Sequence, residues 1–240
     1  MQVLDSGDLE YLQQAPKSGP VEQIIVLLHG YGRNATLMQK LADEIAERLP
    51  QALILMPQAP EKYEAPASDA GNALRVPEQL RTEDREGTDP GQRRQWFSIR
   101  AATLADMDRH LRAAVTRIND FISAQLAQHG LKDSDAALMG FSQGGVVALY
   151  AAYRRMAPMA CVVGHSTIFM GGPDLHSKPP TLYLYGLDDE EFSEKRYEES
   201  GRHVKAHMPD TKMQGVPGLR HTTNAESRAV VADFIAGHFK

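Results

Sequence analysis

Residues 136–145 read AALMGFSQGG, an apolar run that leads into Gly140-Phe141-Ser142-Gln143-Gly144. The pattern G-x-S-x-G alone is weak, because three fixed positions in five recur by chance. Its context is informative: residues 136–141 resemble a buried strand, and the small residues after Gly144 suit a helix. A strand, a sharp turn and a helix form the setting that this motif requires.

The two glycines of the motif have a steric role. In so tight a turn, side chains two positions either side of Ser142 would collide with backbone, and Gly140 and Gly144 remove them. The turn lifts the hydroxyl clear of the sheet and sets it at a helix N-terminus, whose unpaired N–H groups favour developing negative charge. We therefore predict Ser142 as a nucleophile. The alternative is a glycine-rich helix start with an incidental serine.

Strand-like and helix-like segments alternate along the rest of the chain. Continuous apolar strands are typical of a parallel sheet covered on both faces, and alternation with helices implies right-handed crossovers. The sequence therefore predicts the α/β class, a doubly wound, mostly parallel sheet with helices on both faces. Strands are expected at 24–28, 52–56, 136–141, 160–163, 181–185 and 212–216, and helices at 36–49, 104–126, 144–155, 194–207 and 225–239.

A serine hydroxyl is a poor nucleophile until a histidine takes its proton. Of the nine histidines, His221 is the best candidate, because it lies between the last strand and the last helix, at the carboxyl edge of the sheet. Asn224 can cap that helix and fix the loop. His165 and His176, next to strands, and His29, in the first glycine turn, are weaker candidates. The others fall in or beside predicted helices and are expected at the surface: His110, His129, His203, His207 and His238.

The acid that orients the histidine is expected on the loop after strand 181–185, which reads Gly186-Leu187-Asp188-Asp189. A carboxylate there would hold the imidazole tautomer and stabilise the imidazolium. The residues alone leave Asp188 and Asp189 as alternatives, and Glu190 and Glu191 are interpreted as an acidic surface loop. A serine, then an aspartate, then His221 is the chain order of α/β-hydrolases.

His29-Gly30-Tyr31-Gly32 follows the first strong strand. In this architecture the loop there supplies one oxyanion donor, and the residue after the nucleophile supplies the other. We therefore predict an oxyanion hole formed by the backbone N–H groups of Tyr31 and Gln143.

Composition excludes several other classes of function. A formal net charge of -5 gives no bulk attraction to nucleic acid. Neither a phosphate-binding glycine motif nor a metal motif such as H-E-x-x-H is present, so no cofactor and no metal is predicted. Cys161, the single cysteine, lies in an apolar run and is expected in the core. We expect a cytoplasmic protein without a secretory signal or an integral membrane segment. The sequence does not determine the oligomeric state, and a homodimer is one possibility.

Together these residues resemble the phospholipase/carboxylesterase family of α/β-hydrolases, which includes acyl-protein thioesterases. The resemblance implies the α/β-hydrolase fold and hydrolysis of ester or thioester bonds. The family commonly has His-Gly-x-x-Asp at the acid loop, so its register favours Asp189, with Tyr185 in place of histidine. It also commonly has glycine where Arg220 precedes His221. The resemblance rests on Leu28-His29-Gly30-Tyr31-Gly32, Pro57-Gln58-Ala59-Pro60, Trp96-Phe97-Ser98, Gly140-Phe141-Ser142-Gln143-Gly144-Gly145, and His221 with Glu226.

The expected function is that of a serine hydrolase cleaving esters or thioesters of short to medium acyl chains through an acyl-enzyme. A lysophospholipase or acyl-protein thioesterase would share this machinery, and a catalytically silent binding protein on the same scaffold is the alternative outside enzymes. The 240 residues suit one domain, 1–240. Segment 61–95 leaves the carboxyl edge of the sheet and is expected to be a lid or rim, with a solvated insertion as the alternative.

Overall fold

An eight-stranded sheet forms the centre of the molecule in a computed structural model that describes residues 3–6, 9–65, 90–100, 103–169, 171–172 and 174–239. The strands are β1 Val3–Ser6, β2 Leu9–Gln14, β3 Gln23–Leu28, β4 Ala52–Pro57, β7 Ala136–Phe141, β8 Cys161–His165, β9 Thr181–Gly186 and β10 Thr211–Val216; β5 Glu61–Lys62 and β6 Arg94–Gln95 form a separate pair. The spatial order of the large sheet is β1-β2-β4-β3-β7-β8-β9-β10. The strands from β4 to β10 in that order pair in parallel, whereas β1 and β2 pair antiparallel at one edge.

Helices cover both faces of this sheet. On β3, alternate side chains enter opposite cores: Ile24, Val26 and Leu28 face one, and Ile25 and Leu27 face the other. The helices are α1 Gln39–Arg48, α2 Leu104–His129, α3 Gln143–Arg154, α4 Glu194–His207 and α5 Ala225–Ala236. The first core lies under α2, α3 and α4, and the second lies under α1 and α5. The α/β class and the doubly wound, mostly parallel sheet are therefore confirmed.

The predicted elements differ from the observed ones mainly at their ends. The helix expected over 36–49 opens as a short 3-10 helix, Ala35–Met38. The Asn34 side chain caps its start by accepting a hydrogen bond from the Thr36 N–H. The last helix ends at residue 236 instead of 239, and its predicted cap, Asn224, accepts from the Ser227 N–H at 2.8 Å. Strands β1 and β2 were not predicted from the sequence. Cys161 is fully buried, as predicted.

The ends of segment 61–95 lie close together. Glu61–Lys62 pairs antiparallel with Arg94–Gln95, and the Tyr63 N–H donates to the Arg93 carbonyl at 3.1 Å. Residues 66–89, which make up most of the segment, lie outside the described residues. The lid or rim thus stays a prediction, with its two ends fixed beside the sheet.

The described helices include none that combines the length and the apolar character needed to cross a membrane.

Candidate active site

Ser142 occupies the sharp turn between β7 and α3. Its backbone angles are φ 52° and ψ −119°, a left-handed conformation that is costly for a residue with a side chain. A Cβ atom on Gly140 would lie 2.1 Å from the Gly144 carbonyl oxygen, and one on Gly144 would lie 2.4 Å from the His29 carbonyl oxygen. Only glycine fits these two positions, for the steric reason given by the sequence analysis. Helix α3 begins directly after Ser142.

Three predicted residues meet at the carboxyl ends of parallel strands. His221 Nε2 lies 2.9 Å from Ser142 Oγ, and His221 Nδ1 lies 2.8 Å from Asp189 Oδ2. The loops that carry these residues follow β7, β9 and β10, which run in parallel and end at one edge of the sheet. Asp188, the other candidate acid, is exposed to solvent. The geometry therefore brings Asp189, and not Asp188, to the histidine.

The hydrogen bonds assign the tautomer of His221. An ionised carboxylate only accepts hydrogen bonds, so the proton lies on Nδ1 and Nε2 is left to accept the serine proton. Burial acts to raise the pKa of Asp189, but hydrogen bonds from His221, Tyr197 and the Phe192 N–H outweigh it and lower the pKa. Asp189 is thus ionised when the imidazole is neutral, which suits a carboxylate that orients a base.

Both acidic residues after Asp189 contact His221, although Glu190 is exposed as expected of a surface loop, whereas Glu191 is largely buried. Glu190 accepts a hydrogen bond from the His221 backbone N–H at 3.2 Å and pairs with Arg220 at 2.8 Å. Glu191 Oε2 lies 3.2 Å from His221 Nε2, and the Glu191 side chain is only 8% exposed. A second carboxylate therefore lies at the same His221 nitrogen that faces Ser142 Oγ.

The loop after β3 packs against the turn at Ser142. A Cβ atom on Gly30 would lie 2.9 Å from the Phe141 ring and 3.4 Å from Ser142 Cβ. His29 fixes this loop, because its Nε2 accepts from the Ala59 N–H at 3.1 Å and its Nδ1 lies 2.9 Å from the Gly30 carbonyl. The predicted oxyanion donor Tyr31 follows directly in this fixed segment.

The side chain of Gln143, the predicted second donor, also connects the start of α3 to the Trp96-Phe97-Ser98 motif. Its side chain accepts from the Trp96 N–H at 2.8 Å and donates to the Phe97 carbonyl at 2.8 Å. The Trp96 indole N–H donates to the His29 carbonyl at 2.7 Å. The Trp-Phe-Ser motif thus holds the loop after β3 and the start of α3 together.

A cavity of about 160 Å³ opens beside the base. His221 and Phe141 line one part of it, and Leu37, Met38 and Leu41 supply apolar wall. The space is small and partly apolar, which suits a short acyl or alkyl group.

Two other histidines are buried near the site and stay neutral. Burial lowers the pKa of His29 to about 4 and that of His165 to about 3. His176, the third alternative base, is exposed on the segment before β9. No local motif marks contacts between residues on different loops and helices. The contacts of Tyr197 and Glu191 and the burial of His165 were therefore not predicted.

Acid is expected to destabilise the fold through His29 and His165. Their folded-state pKa values, about 4 and about 3, lie below the usual 6.5, so the unfolded chain takes up protons first as the pH falls. Their contribution is fully present above about pH 6.5 and is lost below it, at roughly 1.4 kcal/mol per pH unit for each histidine.

Urea unfolding at pH 7, 6 and 5 measures this loss. His29→Asn, which retains an amide donor for the Gly30 carbonyl, should have a shallower dependence on pH. A wild-type free energy of unfolding that is constant over this range would contradict the assignment.

The sheet, with Ser142 at a strand-to-helix turn and Asp189 and His221 on later loops, defines an α/β-hydrolase. The chain belongs to the phospholipase/carboxylesterase family, whose model matches residues 81–239. It is 23% identical over 180 residues to the esterase YpfH of Escherichia coli, covering 75% of this chain and 66% of that protein's length. The family makes the chain an enzyme of the ester-hydrolase class.

Solved structures of similar fold support the same architecture. The structure of esterase PE8 has a TM-score of 0.77 and 21% identity, covering 97% of this chain and all 100% of the other. Arabidopsis thaliana SOBER1 has a TM-score of 0.68 and 18% identity, covering 91% of this chain and 99% of the other. At these identities the likeness concerns the fold.

Proposed function

We propose that the chain hydrolyses carboxylic esters or thioesters of short to medium acyl chains through an acyl-enzyme on Ser142. The observation that carries the proposal is the continuous hydrogen-bonded series from Ser142 Oγ through His221 to Asp189, at 2.9 and 2.8 Å. Each contact is within the range required for proton transfer and for orientation of the base.

The reaction follows from this geometry. Ser142 Oγ attacks the substrate carbonyl while its proton moves to His221 Nε2, and Asp189 stabilises the imidazolium. The backbone N–H groups of Tyr31 and Gln143 bind the oxyanion. Collapse of the tetrahedral intermediate expels the alcohol or thiol, which takes the proton from Nε2. Water then repeats the sequence on the acyl-serine and releases the acid, so one water is consumed for each bond cleaved.

A substrate panel tests the acyl preference. The small cavity beside His221 supports short to medium chains, so kcat/KM for p-nitrophenyl esters should pass through a maximum at short or medium length. Matched acyl thioesters in the same assay separate ester from thioester preference. A maximum at long chains would favour the lysophospholipase or acyl-protein thioesterase alternative.

The activity is expected to rise with pH through the range in which histidine usually titrates, because only neutral His221 can accept the proton of Ser142. The pKa of Asp189 is lowered and those of His29 and His165 are about 4 and about 3, so these groups do not titrate in that range. The measurement is kcat/KM from about pH 5 to 9. A flat profile would contradict a histidine base.

One domain, 1–240, with a lid or rim at 61–95 is part of this proposal, and so is a cytoplasmic location. The two cores share a single sheet, which supports one folding unit.

The mechanism needs no cofactor or metal, because the side chains and backbone N–H groups supply every proton transfer and charge contact. A single, buried cysteine is compatible with a reducing compartment.

A further inference from the structure

A buried tyrosine contacts the carboxylate oxygen of Asp189 that also faces His221. The hydroxyl of Tyr197, on α4, donates to Asp189 Oδ2 at 2.6 Å. The same oxygen lies 2.8 Å from His221 Nδ1. Two donors, one from a helix and one from the base, thus converge on one carboxylate oxygen.

The ring of Tyr197 is held in place by aromatic neighbours. It stacks on Tyr185 with ring centres 4.9 Å apart and an interplanar angle of 20°. Phe192 contacts it edge-on at 5.8 Å and also contacts the ring of His221 at 5.7 Å. Tyr197 is fully buried, so its hydroxyl has little freedom to point elsewhere.

Asp189 needs this donor because it is ionised and its side chain is 0% exposed. Its other oxygen, Oδ1, accepts from the N–H groups of Glu191 and Phe192 at 2.8 and 3.0 Å. Oδ2 has only His221 and Tyr197 as hydrogen-bond donors among the described residues. Burial and the neighbouring carboxylate raise the pKa of Tyr197, so the hydroxyl keeps its proton and remains a donor.

We propose that Tyr197 is a positioning residue that sets the orientation and basicity of Asp189 for the reaction on Ser142. The inference rests on the proposed function. Tyr185, which stands where the family commonly has histidine, supports this role by stacking on the Tyr197 ring.

Tyr197→Phe tests the proposal, because it removes the hydroxyl and keeps the ring and its stack. We expect kcat to fall about tenfold, because a hydrogen bond to a charged group is lost. KM should change less than about twofold, because Tyr197 does not contact the substrate. The acid limb of the pH profile should move to higher pH, because a carboxylate with one donor fewer stabilises the imidazolium more strongly.

Tyr183→Phe is the matched control. This tyrosine is also buried on the same face of the sheet. Its hydroxyl contacts the Thr167 carbonyl and, at 2.8 Å, Ser200 Oγ, without touching the three site residues. Its loss should leave kcat and the pH profile near those of the wild type. Equal effects of the two variants would overturn the positioning role.

Two measurements keep the test decisive. If Tyr197→Phe fails to fold, 3-fluorotyrosine placed at position 197 retains the ring and provides a stronger donor, so the acid limb should move to lower pH. An unmoved limb would overturn the inference. Ser142→Ala distinguishes a failure of this inference from a failure of the proposed function. If Ser142→Ala abolishes hydrolysis while Tyr197→Phe leaves kcat and the pH profile unchanged, the positioning role alone is contradicted.

Discussion

Ser142→Ala is expected to lower kcat for ester hydrolysis by about 10⁶-fold, as loss of a catalytic serine does in well-characterised triads. The hydroxyl lies 2.9 Å from His221 Nε2, and without it no nucleophile is present at the base. The substitution removes a single oxygen and opens no core cavity. The fold and the thermal midpoint should therefore remain close to those of the wild type.

Hydrolysis of a p-nitrophenyl ester and labelling by a fluorophosphonate provide two independent measurements. Ser177→Ala is the matched control, since it removes a buried hydroxyl that donates to the Ala152 carbonyl at 2.7 Å. That variant should retain both activity and labelling. Measurable turnover by purified Ser142→Ala, after contaminating esterases are removed, would refute the nucleophile assignment.

Asp189→Asn is expected to reduce kcat by about 10⁴-fold with little change in the fold, by analogy with the same change in a serine protease. The carboxylate now accepts from His221 Nδ1 at 2.8 Å. An amide in its place can turn its NH₂ group towards Nδ1 and favour the tautomer with the proton on Nε2. The base would then have no free nitrogen to accept the serine proton.

Asp188→Asn is the control for this change, because the two aspartates are adjacent but only Asp189 contacts His221. Asp188 is exposed, and its backbone N–H donates to the Leu219 carbonyl at 3.1 Å. Its side-chain change should leave kcat within about twofold of the wild type, the usual size of a surface effect. A larger loss with Asp188→Asn than with Asp189→Asn would mean that the acid has been misassigned.

The fold was predictable because its signals are local. Each central strand is a continuous apolar run, and the turn at Ser142 has glycines where only glycine fits. The N-terminal strands carry no such signal. Strand β2 reads LEYLQQ, with polar and apolar residues mixed, and its pairing with β4 depends on residues 40 to 46 positions away. Edge strands of this kind are defined by tertiary context.

The site was predictable in part. Ser142 and His221 follow from motif and position, whereas the choice of Asp189 over Asp188 required the register of a known family. Contacts between different elements, such as that of Tyr197 with Asp189 or of Glu191 with His221, have no signal in the sequence. Arg220 also departs from the family pattern, and the structure pairs it with Glu190, which itself holds the His221 backbone.

The left-handed backbone of Ser142 has a consequence for how activity can be lost. At φ 52° and ψ −119° the backbone of a glycine would be less strained than that of a serine, by a conformational free energy on the order of 1 kcal/mol. Replacement of this serine by glycine would thus remove turnover without a cost to the fold, an example of stability traded against activity at a strained site. A loss of activity by this route would leave a folded, inert protein instead of a misfolded one.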